Sequence, residues 1–195
     1  MGKIEQNKER KRQEILASAQ SIFLSEGYEQ TSMDRIAELA NMTKQTVYRY
    51  FPSKIELFQA MLNHMGKDFN ESYLVHLQHE DVEEALLGFA KDFMQHHLSD
   101  GHIAVTRLLI TESAKSPEIV ETFMASGRHE TMKALTEFFK QRLACDKPEK
   151  LIELWTGMLL SPRTSLLLGM KKPTKKYIEQ HAQQATDLLK QQLEL

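Results

Sequence analysis

A short segment near the N-terminus concentrates polar and charged side chains. Six of the seven residues from 43 to 49 are polar, namely Thr43, Lys44, Gln45, Thr46, Tyr48 and Arg49. Hydroxyl and amide groups can pair with base edges in the major groove, and cations and phenols can bind phosphates. The segment therefore indicates a helix that contacts DNA. The residues alone leave open an ordinary helical hairpin with a polar outer face.

Histidine and cysteine are the other residue types considered, because they can bind metals and cysteine can form disulfides. The chain has eight histidines, among them His76 and His79 and the adjacent pair His96 and His97. Because adjacent residues point to different faces of a helix, and no acidic or cysteine partner stands at a suitable spacing, we predict no metal site. The single cysteine, Cys145, cannot form an internal disulfide and is interpreted as a bystander.

Sequence motifs of enzymes are missing as well. The chain contains no HExxH zinc motif, no P-loop, no dinucleotide fingerprint and no Cys-His arrangement. We therefore expect no catalysis and no cofactor. The charged N-terminus does not have the form of a signal peptide, and no segment approaches the ~20 apolar residues that span a bilayer. A cytoplasmic protein without a membrane partner is expected.

The charge distribution is consistent with a DNA-binding head. The net charge is −2, but residues 1–54 carry nine Lys and Arg against seven Asp and Glu, and the remainder carries 16 against 20. The positive excess is concentrated between Lys8 and Arg12. A weakly basic head on an acidic body suits nucleic-acid binding by the head alone.

Apolar residues recur at helical spacing along the chain, and glycine and proline are scarce at 8 and 5 residues. This pattern predicts an all-α fold of about nine helices. Three short helices come first, with the first ending at Gly27, the second starting at Thr31 and the third capped by Thr43. The fourth continues to about His76. Later helices are predicted at 82–98, 102–115 and 118–144, followed by one broken at Pro162 and a last one from Thr174.

The second and third helices meet the steric requirements of a helix-turn-helix. Ala37 provides the small residue needed where two helices cross closely. Asn41 stands at the sharp turn, where a residue tolerant of positive φ is required. The residues spaced to fill the angle between the helices are Ile36, Ala40, Met42 and Val47. We therefore place a DNA-binding domain with a basic N-terminal arm at 1–53 and a second helical domain at 54–195.

The run GYEQTSMDRIAELANMTKQTVYRYFPSKIELFQAML closely resembles the DNA-binding head of the TetR family. The resemblance covers about residues 8–65 and has Asn41 where the family commonly has glycine. It implies that Thr31 and Thr43 cap their helices and present them to phosphates. It also implies that Tyr48 and Lys54 hold the DNA backbone, with the basic arm adding contacts. The residues implied to read bases are Lys44, Gln45, Thr46 and Arg49.

The stretch TRLLITESAKSPEIVETFMASGRHETMKALTEFF resembles the C-terminal domain of the AefR-like branch of that family. This resemblance implies a homodimer with a small-molecule effector cavity in each subunit. The candidate pocket residues are Met65, Phe69, Phe89, Phe93, His97, Arg107, Phe123 and Met132. Arg107 attracts attention because a buried cation in an apolar helix needs a carboxylate partner, such as Glu112, or an anionic ligand.

The last two helices are the expected dimer interface because they combine a wide apolar face with a chain-terminal position. The candidate interface residues are Leu151, Trp155, Met158, Leu159, Ile178, Ala185 and Leu188. The alternative is that these residues complete the core of the single chain. The family resemblance implies a repressor that leaves its operator when an effector shifts the dimer between two states. An activator, or a DNA-binding protein without an effector, is also compatible with the sequence.

Overall fold

The structure is a computed structural model that describes residues 2–68, 72–125 and 128–193. Within these ranges the chain is all-α, as predicted, with twelve α-helices and one 3-10 helix at His76–Gln78. The α-helices are α1 (Lys3–Glu26), α2 (Met33–Leu39), α3 (Lys44–Tyr50), α4 (Lys54–Asp68), α5 (Ser72–Val75), α6 (Val82–His97), α7 (Asp100–Glu112), α8 (Pro117–Ala125), α9 (Arg128–Arg142), α10 (Glu149–Leu159), α11 (Arg163–Leu167) and α12 (Lys175–Gln192). No helix in the described part is long and apolar enough to cross a membrane.

Several helix boundaries follow from local chemistry. Gly27 ends α1 with φ +87°, a conformation that glycine adopts without strain. The side chain of Asp81 accepts a hydrogen bond from Glu84 N at the start of α6, and the side chain of Thr174 accepts one from Tyr177 N at the start of α12. As predicted, Pro162 separates two helices, because proline lacks the amide that would continue the ladder.

One expectation about the helices needs correction. The basic segment from Lys8 to Arg12 is part of helix α1, which begins at Lys3, and is not a separate arm. The predicted helix over 118–144 is described over 117–125 and 128–142, and the predicted continuation of the fourth helix beyond Asp68 falls first on residues outside the described ranges.

The chain folds as two compact units. Unit 1 comprises residues 1–68 and 104–126, and unit 2 comprises residues 69–103 and 127–195. Unit 1 thus extends past the boundary at residue 53 expected from the sequence, since α4, α8 and most of α7 join the first three helices. An aromatic cluster fills its core, where the ring centroids of Phe23, Tyr28 and Phe58 lie 5.2–5.5 Å apart.

Unit 2 has its own core, built mainly by α6, α9, α10 and α12. Phe89 and Phe93 stack with centroids 5.2 Å apart, and Trp155 lies 5.4 Å from Phe89. Phe89 and Trp155 are completely buried. At roughly 1.5–3 kcal/mol for each large apolar side chain removed from water, this cluster is a main source of stability for the unit.

Candidate nucleic-acid interface

The helices α2 and α3 form the predicted helix-turn-helix. Asn41 adopts φ +51° in the turn between them, the left-handed conformation that asparagine tolerates better than most residues. Ile36 and Val47 are completely buried and Ala37 is nearly so, which fixes the angle between the two helices. The apolar contacts predicted for this turn are confirmed.

The N-terminus of α3 is capped by Thr43, as predicted. Its hydroxyl oxygen accepts a hydrogen bond of 3.2 Å from Thr46 N, and the hydroxyl groups of Thr43 and Thr46 lie 2.9 Å apart. Thr43 itself is exposed. This cap satisfies an amide that the helix ladder cannot satisfy, and it leaves the positive end of the helix dipole open to an anion.

The outer face of α3 presents its polar side chains to solvent. Gln45 and Arg49 are exposed, and 39% of Tyr48 is exposed. Lys44 Nζ lies 2.8 Å from a carboxylate oxygen of Asp34 on α2, and this hydrogen bond and charge raise the pKa of Lys44. Both side chains of the pair are more than half exposed, so the ion pair stays accessible to a competing phosphate.

Thr31 does not have the role expected from the sequence. The cap of α2 is Ser32, whose side chain accepts a hydrogen bond from Arg35 N. Thr31 is 3% exposed, and its hydroxyl donates to the carbonyl of Gly27 over 2.6 Å. Thr31 therefore fixes the turn between α1 and α2 and is too buried to meet a phosphate.

Lys54 is also engaged within unit 1. Its ammonium group donates to the carbonyls of Tyr28 at 2.9 Å, Thr31 at 3.1 Å and Glu29 at 3.4 Å. It also lies 4.4 Å from the centroid of the Tyr28 ring, a cation–π contact. A lysine has three N–H donors, and three carbonyls occupy them. Lys54 thus holds the turn before α2, and its expected phosphate contact remains a prediction.

The turn at Gly27–Thr31 is held from a second side by residues that the sequence reading did not select. Glu29 N donates to a carboxylate oxygen of Glu112, at the end of α7, over 2.8 Å. Ser116 Oγ donates to the side chain of Glu29 over 2.9 Å. Glu112 is 9% exposed, and a β-carbon at Gly27 would lie 3.3 Å from its carboxylate oxygen. Residues 104–116 therefore fasten the segment that leads into the helix-turn-helix.

The candidate pocket residues are divided between the two units. Those of unit 1 are Met65, Arg107 and Phe123, and those of unit 2 are Phe89, Phe93, His97 and Met132. Phe69 lies outside the described residues. Arg107 is exposed, so the premise of a buried cation on α7 is wrong. Phe89 and Phe93 belong to the packed core, whereas His97 and Met132 are partly buried. The pocket remains a prediction.

Most of the candidate interface residues are already covered within one chain. Trp155 and Leu159 are completely buried, and Ile178 and Ala185 are 6% and 4% exposed. These four complete the core of unit 2, because the apolar faces of α10 and α12 that carry them turn inward. Leu151 and Met158 are partly buried. Leu188 is 54% exposed and remains available to a partner.

The same helices expose other apolar residues that the sequence reading passed over. Leu154 on α10 is 55% exposed, and Tyr177 on α12 is 44% exposed. Tyr177, Gln184, Leu188 and Gln191 follow the spacing of one helix face and are all exposed. The inward face was easier to recognise from sequence because its apolar residues are more numerous.

Three histidines of unit 2 come together where α6 ends and α7 begins. Nitrogen atoms of His96, His97 and His102 all lie within 4.8 Å of one another. Burial lowers the pKa of His96 and lowers that of His97 well below its usual range. Burial and the charge of the neighbouring His96 lower the pKa of His102 to about 3. The sequence reading considered only the adjacent pair and missed His102, which approaches both His96 and His97 from the next helix.

Two family models match the chain, and the matched residues include parts of both units. The model described as bacterial regulatory proteins of the tetR family matches residues 15–61. The model described as the C-terminal domain of AefR-like transcriptional repressors matches residues 84–191, more than half of the chain. The first match contains the whole helix-turn-helix and its cap.

Individual proteins similar to this chain are transcriptional regulators as well. The transcriptional regulator YhgD of Bacillus subtilis is 36% identical over 90 residues, which are 44% of this chain and 47% of that protein. The chain thus spans about half the length of this curated relative. The structure named flavonoid-responsive regulator FrrA is 25% identical and has a TM-score of 0.77, covering 94% of this chain and 96% of that one. A regulator structure from Mesorhizobium loti, 23% identical with a TM-score of 0.80, covers 93% and 96% and shares the fold.

Proposed function

The chain belongs to the TetR family of bacterial transcriptional regulators, and we propose that it binds operator DNA as a homodimer through α2 and α3. The observation that carries the proposal is the exposed polar face of α3, presented by a helix-turn-helix with a left-handed Asn41 and a Thr43 cap. Regulators of this family are not enzymes, in agreement with the missing catalytic motifs.

The side chains of α3 divide by chemistry into two groups. Gln45 carries both an amide donor and an acceptor and suits bidentate pairing with adenine in the major groove, while Lys44 and Arg49 suit guanine or phosphate. Tyr48 and the helix N-terminus at Thr43 suit the sugar-phosphate backbone. Contacts of the first kind set the sequence that is recognised. Contacts of the second kind set the affinity and its dependence on salt.

Dimerisation supplies the second recognition helix that a specific operator requires. One helix of seven residues reads few base pairs, whereas a two-fold dimer reads two half-sites separated by about 34–36 Å. The exposed residues Leu154, Tyr177 and Leu188 lie on α10 and α12 and offer an apolar surface to a second copy. We place the interface on this surface rather than on the buried residues selected from the sequence.

Repression relieved by a small molecule is the mode of action that the matches support best. The family model that covers residues 84–191 is described as a repressor domain. The structural neighbour FrrA is named for its response to flavonoids, which favours an organic effector for this fold. The effector would bind one conformation of the dimer more tightly and so shift the population away from the state that fits the operator.

Binding measurements on the DNA upstream of the protein's own gene test this proposal. We expect the wild-type protein to bind this fragment at least tenfold more tightly than scrambled DNA, and Tyr48→Ala to lose most of the affinity for both. Lys133→Ala is the matched control, since Lys133 is exposed on α9, in unit 2. Equal affinity of the wild-type protein for both DNAs, followed by the failure of a genome-wide selection, would exclude a sequence-specific regulator.

The contribution of phosphate contacts is measured by the salt dependence of the same binding. If Arg49 neutralises one phosphate per subunit, Arg49→Ala lowers the slope of log affinity against log salt by about 2 for the dimer. Lys133→Ala leaves the slope unchanged. A slope that is the same in Arg49→Ala and the wild type assigns Arg49 to another role.

A further inference from the structure

The junction between α6 and α7 carries a cluster with the donor chemistry of a metal site. His96 and His97 end α6, and His102 lies in the first turn of α7. The ring centroids of the three lie 4.6–5.2 Å apart, and one nitrogen from each lies within 4.8 Å of the other two. We propose that His96, His97 and His102 bind a divalent transition-metal ion of the zinc class.

The donor set determines which ions fit. Three imidazoles suit zinc, copper and nickel, while the absence of carboxylates from the set disfavours magnesium and calcium. Zinc bound to three histidines keeps a fourth position open. A tetrahedral ion with bonds of about 2.0–2.1 Å needs its ligand nitrogens about 3.3–3.4 Å apart. The nitrogens must therefore approach by up to about 1.5 Å, a movement within the reach of side-chain rotation at a helix end.

His97 makes a hydrogen bond of the kind that metal-ligating histidines commonly make. Its Nδ1 lies 2.9 Å from the carbonyl oxygen of Phe93, one turn earlier on α6. A carbonyl can only accept a hydrogen bond, so Nδ1 carries the proton and Nε2 keeps its lone pair for an ion. Histidines that ligate metals usually donate the other ring N–H in this way, which fixes both the tautomer and the plane of the ring.

The surroundings also indicate what completes the coordination. The positive charge of Arg163, on α11, acts on His97 and His102. The aromatic ring of Tyr73 lies 5.6 Å from the His96 ring and 6.1 Å from the His97 ring, which shields that side from water. The charge of Arg163 opposes the binding of a dication, and an anion such as chloride or hydroxide at the open position would offset this repulsion.

Metal binding is tested on the full-length protein without an affinity tag, stripped with a chelator and kept free of DNA. Zinc is titrated in competition with a chromogenic chelator, and cobalt is used as the absorbing probe of tetrahedral geometry. We expect one zinc ion per chain and at least tenfold weaker binding in His97→Asn and His102→Asn. His79→Asn is the matched control, since His79 lies outside the cluster, and it should bind as the wild type does.

The same samples give a second readout that does not depend on operator binding. Zinc should raise the Tm of the wild-type protein and of His79→Asn by several degrees, because a ligand that binds only the folded state stabilises it. It should not raise the Tm of His102→Asn. Affinity that is equal in all four proteins, or no binding at micromolar zinc, would overturn the proposal.

X-ray absorption of the zinc-loaded wild type keeps the test decisive if the variants fold poorly. Three imidazole nitrogens at about 2.0–2.1 Å are expected in the first shell. Fewer than three imidazoles would contradict the assignment. The proposed regulatory function does not enter this experiment, so a failure of metal binding leaves the operator proposal standing, and the reverse also holds.

Discussion

Removing the side chain of Glu112 should release the turn that leads into the helix-turn-helix. In the structure the carboxylate of Glu112 accepts a hydrogen bond of 2.8 Å from Glu29 N, and Glu112 is 9% exposed. A hydrogen bond to a charged group contributes about 1.5–3 kcal/mol, and a buried donor left without its acceptor adds to the loss. Glu29 itself is exposed, so water replaces part of this contact.

These contributions give an expected loss of about 2 kcal/mol in the free energy of unfolding for Glu112→Ala. Glu112→Gln keeps an oxygen acceptor but loses the charge, and about 1 kcal/mol is expected. For a chain of this size about 1 kcal/mol lowers the Tm by roughly 2–4 °C. Glu112→Ala should therefore melt about 4–8 °C below the wild type.

The assay is thermal unfolding followed by circular dichroism at one fixed protein concentration. Glu121→Ala is the matched control, because Glu121 is exposed on α8 of the same unit. Its Tm should lie within about 1–2 °C of the wild type, since exposed substitutions rarely exceed about 0.5 kcal/mol. If Glu112→Ala has the Tm of the wild type, or if the Tm of Glu121→Ala falls equally far, the hydrogen bond between Glu112 and Glu29 does not stabilise the turn specifically.

Three further changes test the interface and the dimer. Asn41→Gly should be neutral or stabilise by up to ~1 kcal/mol, because glycine accepts φ +51° freely, whereas Asn41→Val should destabilise by ~1–3 kcal/mol; denaturant unfolding distinguishes them. Thr43→Ala removes the cap of α3 and should lower the free energy of unfolding by about 1 kcal/mol and weaken DNA binding. Thr43→Ser keeps the capping hydroxyl and should retain the stability and the DNA binding. Leu188→Glu should lower the dimer fraction measured by analytical ultracentrifugation, and Ile110→Glu, at an exposed position on α7, should not.

The helix-turn-helix was readable from the sequence because its constraints are local. Asn41, Ala37 and Val47 lie within eleven consecutive residues, and each has a residue type that few other geometries require. The cap at Thr43 follows for the same reason. The capping role of Ser32 was missed because Thr31 and Ser32 are both good caps, and sequence does not show which of them turns inward.

The contacts missed from the sequence depend on distant parts of the chain. Glu112 meets Glu29 across 83 positions, and Lys54 reaches the carbonyl of Tyr28 across 26. Every residue has a backbone carbonyl, so the sequence does not show which carbonyls accept hydrogen bonds. A lysine that binds carbonyls therefore cannot be distinguished by sequence from one that binds phosphate. The inward face of α12 was misassigned for a related reason, because an apolar stripe does not reveal whether it packs on its own chain or on a partner.

In the proposed function, α3 reads operator DNA as part of a two-fold dimer. In vitro selection from random duplexes tests it most directly, with the wild type and Gln45→Ala run in parallel. We expect the wild type to select an inverted repeat, and Gln45→Ala to relax the base preference at one symmetry-related pair of positions while the other preferences persist. If the wild type selects no inverted repeat, or if the two proteins have identical base preferences at every position, α3 does not read the operator in this way.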